Sequence, residues 1–311
     1  MLAGAALLTT TACGAGSAES GTGANGGKPA VVAAFYPLQW LSQQVGGPDA
    51  AVSVLTAPGV EPHDLELGAH QMAELGDATL IVYIKGVQPA VDDAVDGGRA
   101  FDAATAVKTL PAGHDEAGHD EAGHDEAGHE SEAAGEEHDH EVSYDPHLWL
   151  DPSRLATVAT KLGERLAAAD PAHAQGYKDR AAATAASLGT LDKEFAQGLS
   201  TCRSRTLVTA HEAFGYLADR YRLKQVGITL DPDSEPSPAR LAEVAGLART
   251  EKVTTVFTES LVNPKVAQVL ASEVGAKTAV LDPLESKPSG DYLSAMRANL
   301  TTLRTALGCG A

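Results

Sequence analysis

The stretch Thr79-Leu-Ile-Val-Tyr-Ile84 decides the fold of this 311-residue chain. Such a continuous apolar run is typical of a parallel strand that is buried on both faces, because helices cover both sides of a parallel sheet. Two further apolar runs precede it, at residues 30–36 and 51–55, and helical segments are predicted between the runs, at 38–45 and 67–75. This alternation of strand and helix predicts an α/β domain.

The same alternation restarts in the second half of the chain. Strands are predicted at 205–209, 223–230, 253–258 and 278–281, and helices at 211–220, 239–250, 264–274 and 292–306. Two helices are predicted between the halves. Asp151 or Ser153 caps the first, and the second, longer helix begins at Pro171. We therefore predict an α/β fold with two lobes, 29–170 and 201–311, joined by one long rigid helix, 171–200.

Residues 112–141 form an acidic, histidine-rich insert in the first lobe. Three copies of Ala-Gly-His-Asp-Glu and a degenerate fourth run from Ala112 to Glu130, and the insert holds twelve carboxylates and no Lys or Arg. The glycines and the missing apolar period predict disorder. Neutral imidazoles can donate to metals at pH 7, so we interpret the insert as a weak metal reservoir, with a solvated linker as the alternative. Its predicted ligands are His114, His119, His124, His129, His138 and His140.

The net charge and the N-terminal segment indicate which partners are excluded and where the protein is located. The net charge is −19, of which the insert carries −12, and this acidity argues against nucleic acid as a partner. An apolar stretch leads into Cys13, which resembles the end of a bacterial lipoprotein signal, and a Gly/Ser/Ala-rich tether follows up to Lys28. We therefore predict lipidation of Cys13; a secreted signal with a chance cysteine is the alternative.

The other two cysteines, Cys202 and Cys309, would stand in a compartment that permits disulfides. A bridge between them would fix the C-terminus to the second lobe. We expect this bridge, with two free buried thiols as the alternative.

Four residues follow strands or motifs at positions where a site can form. His63 and His147 lie in the first half, and His211 and Asp282 directly follow predicted strands of the second half. In open α/β sheets, ligands bind beyond the carboxyl ends of the strands. The four side chains are therefore expected to converge between the lobes.

Five motifs in order carry a resemblance to a known family: Pro58-Gly-Val-Glu-Pro-His-Asp, Asp145-Pro-His-Leu-Trp-Leu-Asp-Pro, Thr209-Ala-His-Glu-Ala-Phe-Gly-Tyr-Leu, Glu235-Pro-Ser-Pro and Leu281-Asp-Pro-Leu. From Pro29 onward the chain resembles the metal-specific solute-binding proteins of ABC importers, the zinc/manganese family called cluster A-I. The resemblance implies two lobes, a rigid linking helix and one metal in the cleft, held by His63, His147, His211 and Asp282.

The resemblance and the donor chemistry together favour zinc over manganese. Zn²⁺ takes four ligands from His and carboxylate groups, whereas Mn²⁺ favours more oxygen donors. Copper and nickel remain alternative metals, because the intrinsic affinity of such ligands for them is close to that for zinc. Asp282 is the least secure ligand, and Glu61, Glu212 and Glu259 compete with it, as does water. His70 and His173 lie on predicted helix surfaces and are taken as bystanders.

The predicted function follows from these residues and the resemblance. We expect a monomeric lipoprotein on the outer face of the bacterial cytoplasmic membrane that captures zinc and delivers it to an ABC permease with its cytoplasmic ATPase. An enzyme is not expected: His211-Glu212 begins a His-Glu-x-x-His pattern, but residue 215 is Gly. A manganese importer component, a metal chaperone and an adhesin with the same fold stay open as alternatives.

Overall fold

The structure, a computed structural model, describes residues 27–95, 97–112 and 142–310. The predicted lipidation site Cys13 lies outside these residues, as do the six histidines of the insert. Within the described part of the chain, no helix is long and apolar enough to cross a membrane.

The first lobe is built on a four-stranded parallel sheet in the order β2-β1-β3-β4. The decisive run forms β3, and Leu80, Ile81 and Val82 are all buried in it, as the sequence predicts. The strands are β1 (Ala30–Ala33), β2 (Ala51–Val54), β3 (Leu80–Tyr83) and β4 (Ala100–Asp102). The helices are α1 (Tyr36–Gly46), α2 (Ala69–Asp77), α3 (Pro89–Ala94) and α4 (Pro152–Ala169).

The second lobe repeats this topology with a parallel sheet in the order β6-β5-β7-β8. Its strands are β5 (Thr206–Thr209), β6 (Lys224–Gly227), β7 (Thr255–Thr258) and β8 (Lys277–Val280). Its helices are α6 (Gly215–Tyr221), α7 (Pro238–Thr250), α8 (Lys265–Val274) and α9 (Tyr292–Leu307). The two lobes of the predicted α/β fold are therefore confirmed.

Two long helices connect the two sheets along the chain. The Asp151 carboxylate caps α4 as predicted, accepting hydrogen bonds from the backbone N–H groups of Ser153 and Arg154 at 2.7 and 3.3 Å. The next helix, α5 (Ala174–Gly198), is about 37 Å long and packs along α4 and α1. The helices approach so closely at Gly163 that an added Cβ would lie 2.6 Å from the Ala181 Cβ.

The linking helix also contacts the second lobe. It packs against α9, where Arg297 donates to the Glu194 carboxylate at 2.7 Å. The predicted bounds 171–200 include a short 3-10 turn at Pro171–His173, so the α-helix itself begins three residues later. A disulfide between Cys202 and Cys309 joins the start of the second lobe to the chain segment after α9, as the sequence predicts.

The hydrophobic core runs through both lobes. One cluster of buried side chains includes Phe35 and Trp149 from the first lobe and Phe214 and Tyr292 from the second. The Phe35 and Trp149 rings meet edge to face with centroids 4.8 Å apart, and Trp40 stacks on Tyr292 at the same separation. A second, smaller cluster lies within the second lobe, between its sheet and the helices α7 and α8.

Candidate metal centre

Four buried or nearly buried side chains from different loops converge between the lobes. His63 follows β2, His147 precedes α4, His211 follows β5, and Glu285 follows β8. One ligand atom from each lies within 4.8 Å of the others. The Nε2 atoms of the three histidines lie 3.6, 3.8 and 3.6 Å from Glu285 Oε1, in the order of their numbers.

These separations match a tetrahedral metal better than a set of hydrogen bonds. Metal–ligand bonds of 2.0–2.2 Å place neighbouring ligand atoms of a tetrahedral zinc site about 3.4 Å apart. All three Nε2 atoms and both Glu285 oxygens are buried without a hydrogen-bond partner. Buried polar atoms without partners are costly, so a cation among them would satisfy all four groups at once.

Carboxylates fix the rings of two histidines. His147 Nδ1 lies 2.7 Å from Asp145 Oδ1, and His211 Nδ1 lies 2.7 Å from Glu259 Oε2. An ionised carboxylate only accepts hydrogen bonds, so we assign the proton to Nδ1 in both rings. In the neutral rings, Nε2 then offers its lone pair to the site, as in carboxylate–histidine–zinc arrangements.

Backbone hydrogen bonds hold the same loops. The carboxylates that bind the rings also accept from the backbone N–H groups of His147, at 2.9 Å, and His211, at 3.1 Å. The loop of His63 is joined to the loop of Glu285 across the cleft, because the Gly59 N–H donates to Ser286 Oγ at 2.6 Å. His63 is the most accessible of the three histidines, with 14% of its side chain exposed.

The buried carboxylates and histidines of the site shift one another's pKa values. Burial alone would lower the pKa of His211, but the hydrogen bond to Glu259 and the nearby Glu285 carboxylate raise it to about 10. Burial likewise opposes ionisation of Glu285, yet the adjacent His211 and His63 rings, each 3.6 Å away, hold its pKa below the usual range. Burial and the nearby Glu285 charge raise the pKa of Glu61 to about 7. Without a metal, these shifts favour a protonated His211 ring beside an ionised Glu285.

Asp282, which was expected to face the three histidines, bonds to other groups in this structure. Its Oδ1 accepts from the Leu284 backbone N–H at 2.8 Å, and its Oδ2 accepts from Ser260 Oγ at 3.1 Å. Asp282 is absent from the group of converging ligand atoms, and Glu285, three residues later, takes its place. The physical reason is that the chain turns after Pro283, so the first carboxylate bonds to its own turn and the second points inward.

The helix predicted to begin at His211 begins later, at Gly215. The His211 carbonyl accepts from Thr209 Oγ1 at 2.7 Å and from Gln225 Nε2 at 3.1 Å. Since side chains already bond this carbonyl, the residues after the strand form a bend and turns instead of a helical turn. His211 is completely buried as a result.

The other carboxylates considered as ligands have different partners. Glu259 bonds the His211 ring from outside the site. Glu212 Oε1 lies 3.4 Å from the Gly227 N–H and 3.5 Å from Arg240. Glu61 Oε1 lies 3.4 Å from the His63 backbone N–H, beside the site.

The two histidines taken as bystanders lie away from the four converging groups. His70 faces Glu74 on α2, with Nδ1 and the carboxylate 3.7 Å apart. His173 pairs with Asp170 between the two long helices, at 2.7 Å.

The chain is similar to named zinc-binding proteins. The sequence profile described as "ZnuA: Zinc-uptake complex component A periplasmic" matches residues 31–306. The zinc-binding lipoprotein AdcA of Streptococcus pneumoniae (strain ATCC BAA-255 / R6) is 35% identical over 291 residues, which cover 89% of this chain and 56% of AdcA. This chain thus spans little more than half the length of the AdcA proteins it matches. The high-affinity zinc uptake system protein ZnuA of Bacillus subtilis (strain 168) is 35% identical over 97% of this chain and 95% of that protein.

Solved structures agree in fold over most of the chain. The Zn(II)-bound ZnuA-like domain of Streptococcus pneumoniae AdcA superposes with a TM-score of 0.72 and 32% identity, covering 90% of this chain and 99% of that domain. The laminin-binding protein Lmb of Streptococcus agalactiae superposes with a TM-score of 0.75 and 31% identity, covering 90% and 99%. From the profile match over nearly all of the described chain, and the close relatives beside it, we conclude that this protein belongs to the family of zinc-uptake complex component A.

Proposed function

We propose that this protein captures Zn²⁺ outside the cytoplasm and delivers it to the permease of an ABC importer, which a cytoplasmic ATPase drives. The observation that carries this proposal is the set of four ligand atoms, three His Nε2 and a Glu285 oxygen, buried without partners at tetrahedral separations. His63, His147, His211 and Glu285 are the proposed ligands.

The donor set supports zinc as the cargo. Three imidazoles and one carboxylate suit the tetrahedral preference of Zn²⁺, whereas Mn²⁺ favours more oxygen ligands in a larger shell. AdcA is named as a zinc-binding lipoprotein, its ZnuA-like domain has a Zn(II)-bound structure, and the Bacillus subtilis ZnuA is named for zinc uptake, which supports the same choice. A manganese cargo is the alternative that the titration below tests.

A transport role suits the site better than catalysis. Catalytic zinc sites keep one coordination position open for water or substrate, with three protein ligands. Here four protein groups surround the same point, and the side chain of Glu285 is only 1% exposed. Four protein ligands leave no position for an attacking water, so we propose binding and release without chemistry.

The segments outside the described residues complete the proposal. We infer a monomer held to the outer face of the membrane by a lipid on Cys13. The six histidines of the insert would raise the local zinc concentration near the cleft, because weakly held ions can exchange to a tighter site.

The first test is a zinc and a manganese titration by calorimetry on the protein from Lys28 onward, and on the same protein without residues 113–140. We expect one tight zinc site to survive the deletion while weaker sites disappear, and manganese to bind more weakly. Loss of all tight binding with the insert would remove the cleft from the proposal. Tighter binding of manganese would change the cargo.

Adhesion is a second candidate that one comparison favours. The Lmb structure is titled as a bifunctional protein with adhesin and metal transporting activity. Binding of purified, zinc-loaded protein to immobilised laminin tests it, with the metal-free protein and albumin-coated wells as controls. Saturable binding above the albumin background would support this second function, and binding at background level would exclude laminin as a ligand.

A further inference from the structure

The turn from Asp282 to Ser286 is bonded to α9 and to Trp149, and Glu285 is its residue in the group of converging ligand atoms. The Asp282 backbone N–H donates to Asn299 Oδ1 on α9, at 3.1 Å, and Asn299 Nδ2 donates back to the Asp282 carbonyl at 2.6 Å. The Trp149 indole N–H donates to the Pro283 carbonyl at 2.7 Å. Asp282 and Pro283, the residues that lead into Leu284 and Glu285, are therefore bonded to α9 and to Trp149.

Leu284 has a backbone conformation that needs support. Its φ is +61°, in the left-handed region that side chains other than Gly disfavour. The other two non-Gly residues with positive φ among the described residues, Arg222 and Lys252, are exposed at helix ends. Leu284 is fully buried and lies directly before the inward-facing glutamate. This combination indicates a conformation that the surrounding bonds impose.

The bond that acts on this residue comes from Asp282. Its Oδ1 accepts from the Leu284 N–H at 2.8 Å, which closes a side-chain turn of the kind that Asp and Asn form with the backbone two residues later. The direction of Glu285 depends on the backbone angles of Leu284, since the two residues are adjacent. A different rotation at Leu284 would move the carboxylate out of reach of the three Nε2 atoms.

We propose that Asp282 is a positioning residue for zinc binding: it holds Leu284 in the left-handed turn that aims Glu285 at the three histidines. The Asp282 side chain accepts the hydrogen bond from the Leu284 backbone N–H. Asn299 on α9 holds the Asp282 backbone in place. This inference rests on the proposed zinc function, and it assigns a role to the residue that sequence reasoning took for a ligand.

Two substitutions distinguish positioning from ligation because they change opposite properties. Asp282→Asn keeps an acceptor oxygen at the same place but removes the charge. Asp282→Glu keeps the carboxylate but moves its oxygens by one methylene, too far for the same tight turn. A positioning role predicts that Asn retains zinc affinity within about threefold and that Glu loses about 10- to 100-fold, the range measured for outer partners of metal ligands. A ligand role predicts the reverse order.

The experiment measures zinc affinity by competition with a chromophoric chelator, and the visible absorption of bound Co²⁺, whose intensity reports tetrahedral geometry. Asp282→Ala should lose 10- to 100-fold in zinc affinity and weaken the Co²⁺ bands. Asp102→Ala is the matched control, because Asp102 Oδ1 accepts from the Ala104 N–H at 3.0 Å in the same kind of turn, away from the four ligands. It should leave both readouts unchanged.

Two results would overturn the proposal. If Asp282→Asn loses as much affinity as Glu285→Gln, then Asp282 is a ligand. If Asp282→Asn and Asp282→Glu both bind like the parent, then the turn does not depend on this side chain. Both comparisons stand even if Asp282→Ala fails to fold. A parent protein without a tight zinc site would instead refute the proposed function, so the two failures are distinguishable.

Discussion

Replacing Glu285 by Gln tests the fourth ligand directly. The substitution keeps the size and shape of a side chain that is 1% exposed, and it removes the negative charge that lies 3.6 to 3.8 Å from three imidazole nitrogens. Gln can still offer an amide oxygen, which is a weaker donor than a carboxylate. The measured change therefore reports the charge and the donor strength, with packing held constant.

The expected magnitude follows from the number of ligands. Tetrahedral structural zinc sites bind with about 10–16 kcal/mol of apparent free energy at pH 7, so one donor of four accounts for about 2.5–4 kcal/mol. At 1.4 kcal/mol for each factor of ten, the zinc affinity should fall about 60- to 700-fold. The loss should be larger than that of any substitution outside the four ligands.

Competition with a chromophoric chelator at fixed pH measures this loss, because a tight site exceeds the range of direct titration. Glu66→Gln is the control: it makes the same charge change at an exposed position three residues from His63. Glu66→Gln should bind zinc like the parent. If Glu285→Gln also stays within about threefold of the parent, the reasoning from the unpartnered carboxylate is refuted.

Four further results are expected. Because the pKa of His211 is raised to about 10, above its ordinary value of about 6.5, zinc must displace a proton, and its affinity should rise about tenfold per unit from about pH 7 to 9. For the same reason, the stabilisation from this protonated ring in the metal-free protein should be complete below about pH 6.5 and disappear toward pH 10. A pH-independent zinc affinity would contradict the first point. Asp145→Asn and Glu259→Gln should each weaken zinc binding about 10- to 100-fold in the same competition assay, and parent-like binding would show that the rings need no partner. Replacing both Cys202 and Cys309 by Ser should lower the free energy of unfolding by up to about 4–5 kcal/mol in a denaturant titration, with zinc affinity unchanged, since the bridge closes a loop with a sequence separation of 107.

The three histidines of the site could be located from the sequence because each stands in a loop next to a recognisable element. Parallel strands present their carboxyl ends at the same edge of a sheet, so residues directly after β2 and β5 must lie near the cleft. His211 follows β5 by two residues. Position after a strand points to His211 in this way, whereas His63 lies nine residues after β2 and His147 precedes α4, so those two were located by the motifs around them.

Glu285 could not be located in the same way. Asp282 is nearer the end of β8 and satisfies the same positional rule. The choice between them depends on the left-handed turn at Leu284, and a leucine gives no sequence signal for positive φ, as Gly or Asn would. The available signal was the apolar pair Pro283-Leu284 directly before the glutamate, which suits a chain segment that enters the protein interior.

The short elements between β3 and the insert were also not predicted. Helix α3 has six residues and β4 has three, so neither is long enough to display a period in hydrophobicity. Their place in the fold follows from tertiary pairing, since β4 completes the first sheet beside β3. By contrast, the long helices α4 and α5 were predicted within a few residues of their ends, because caps and composition mark them locally.

The core that continues from one sheet to the other has a consequence for cooperativity. Tyr292 of α9 donates its hydroxyl proton to the Trp149 carbonyl at 2.5 Å, and its ring stacks on Trp40 of α1, so neither sheet is enclosed by its own helices alone. Unfolding one lobe would expose aromatic surface of the other lobe. The free energies of unfolding of the two lobes are therefore coupled. Heating should therefore give a single calorimetric transition with equal van't Hoff and calorimetric enthalpies. A chain cut after α5 should leave two insoluble pieces, in contrast to two-domain proteins whose halves fold alone.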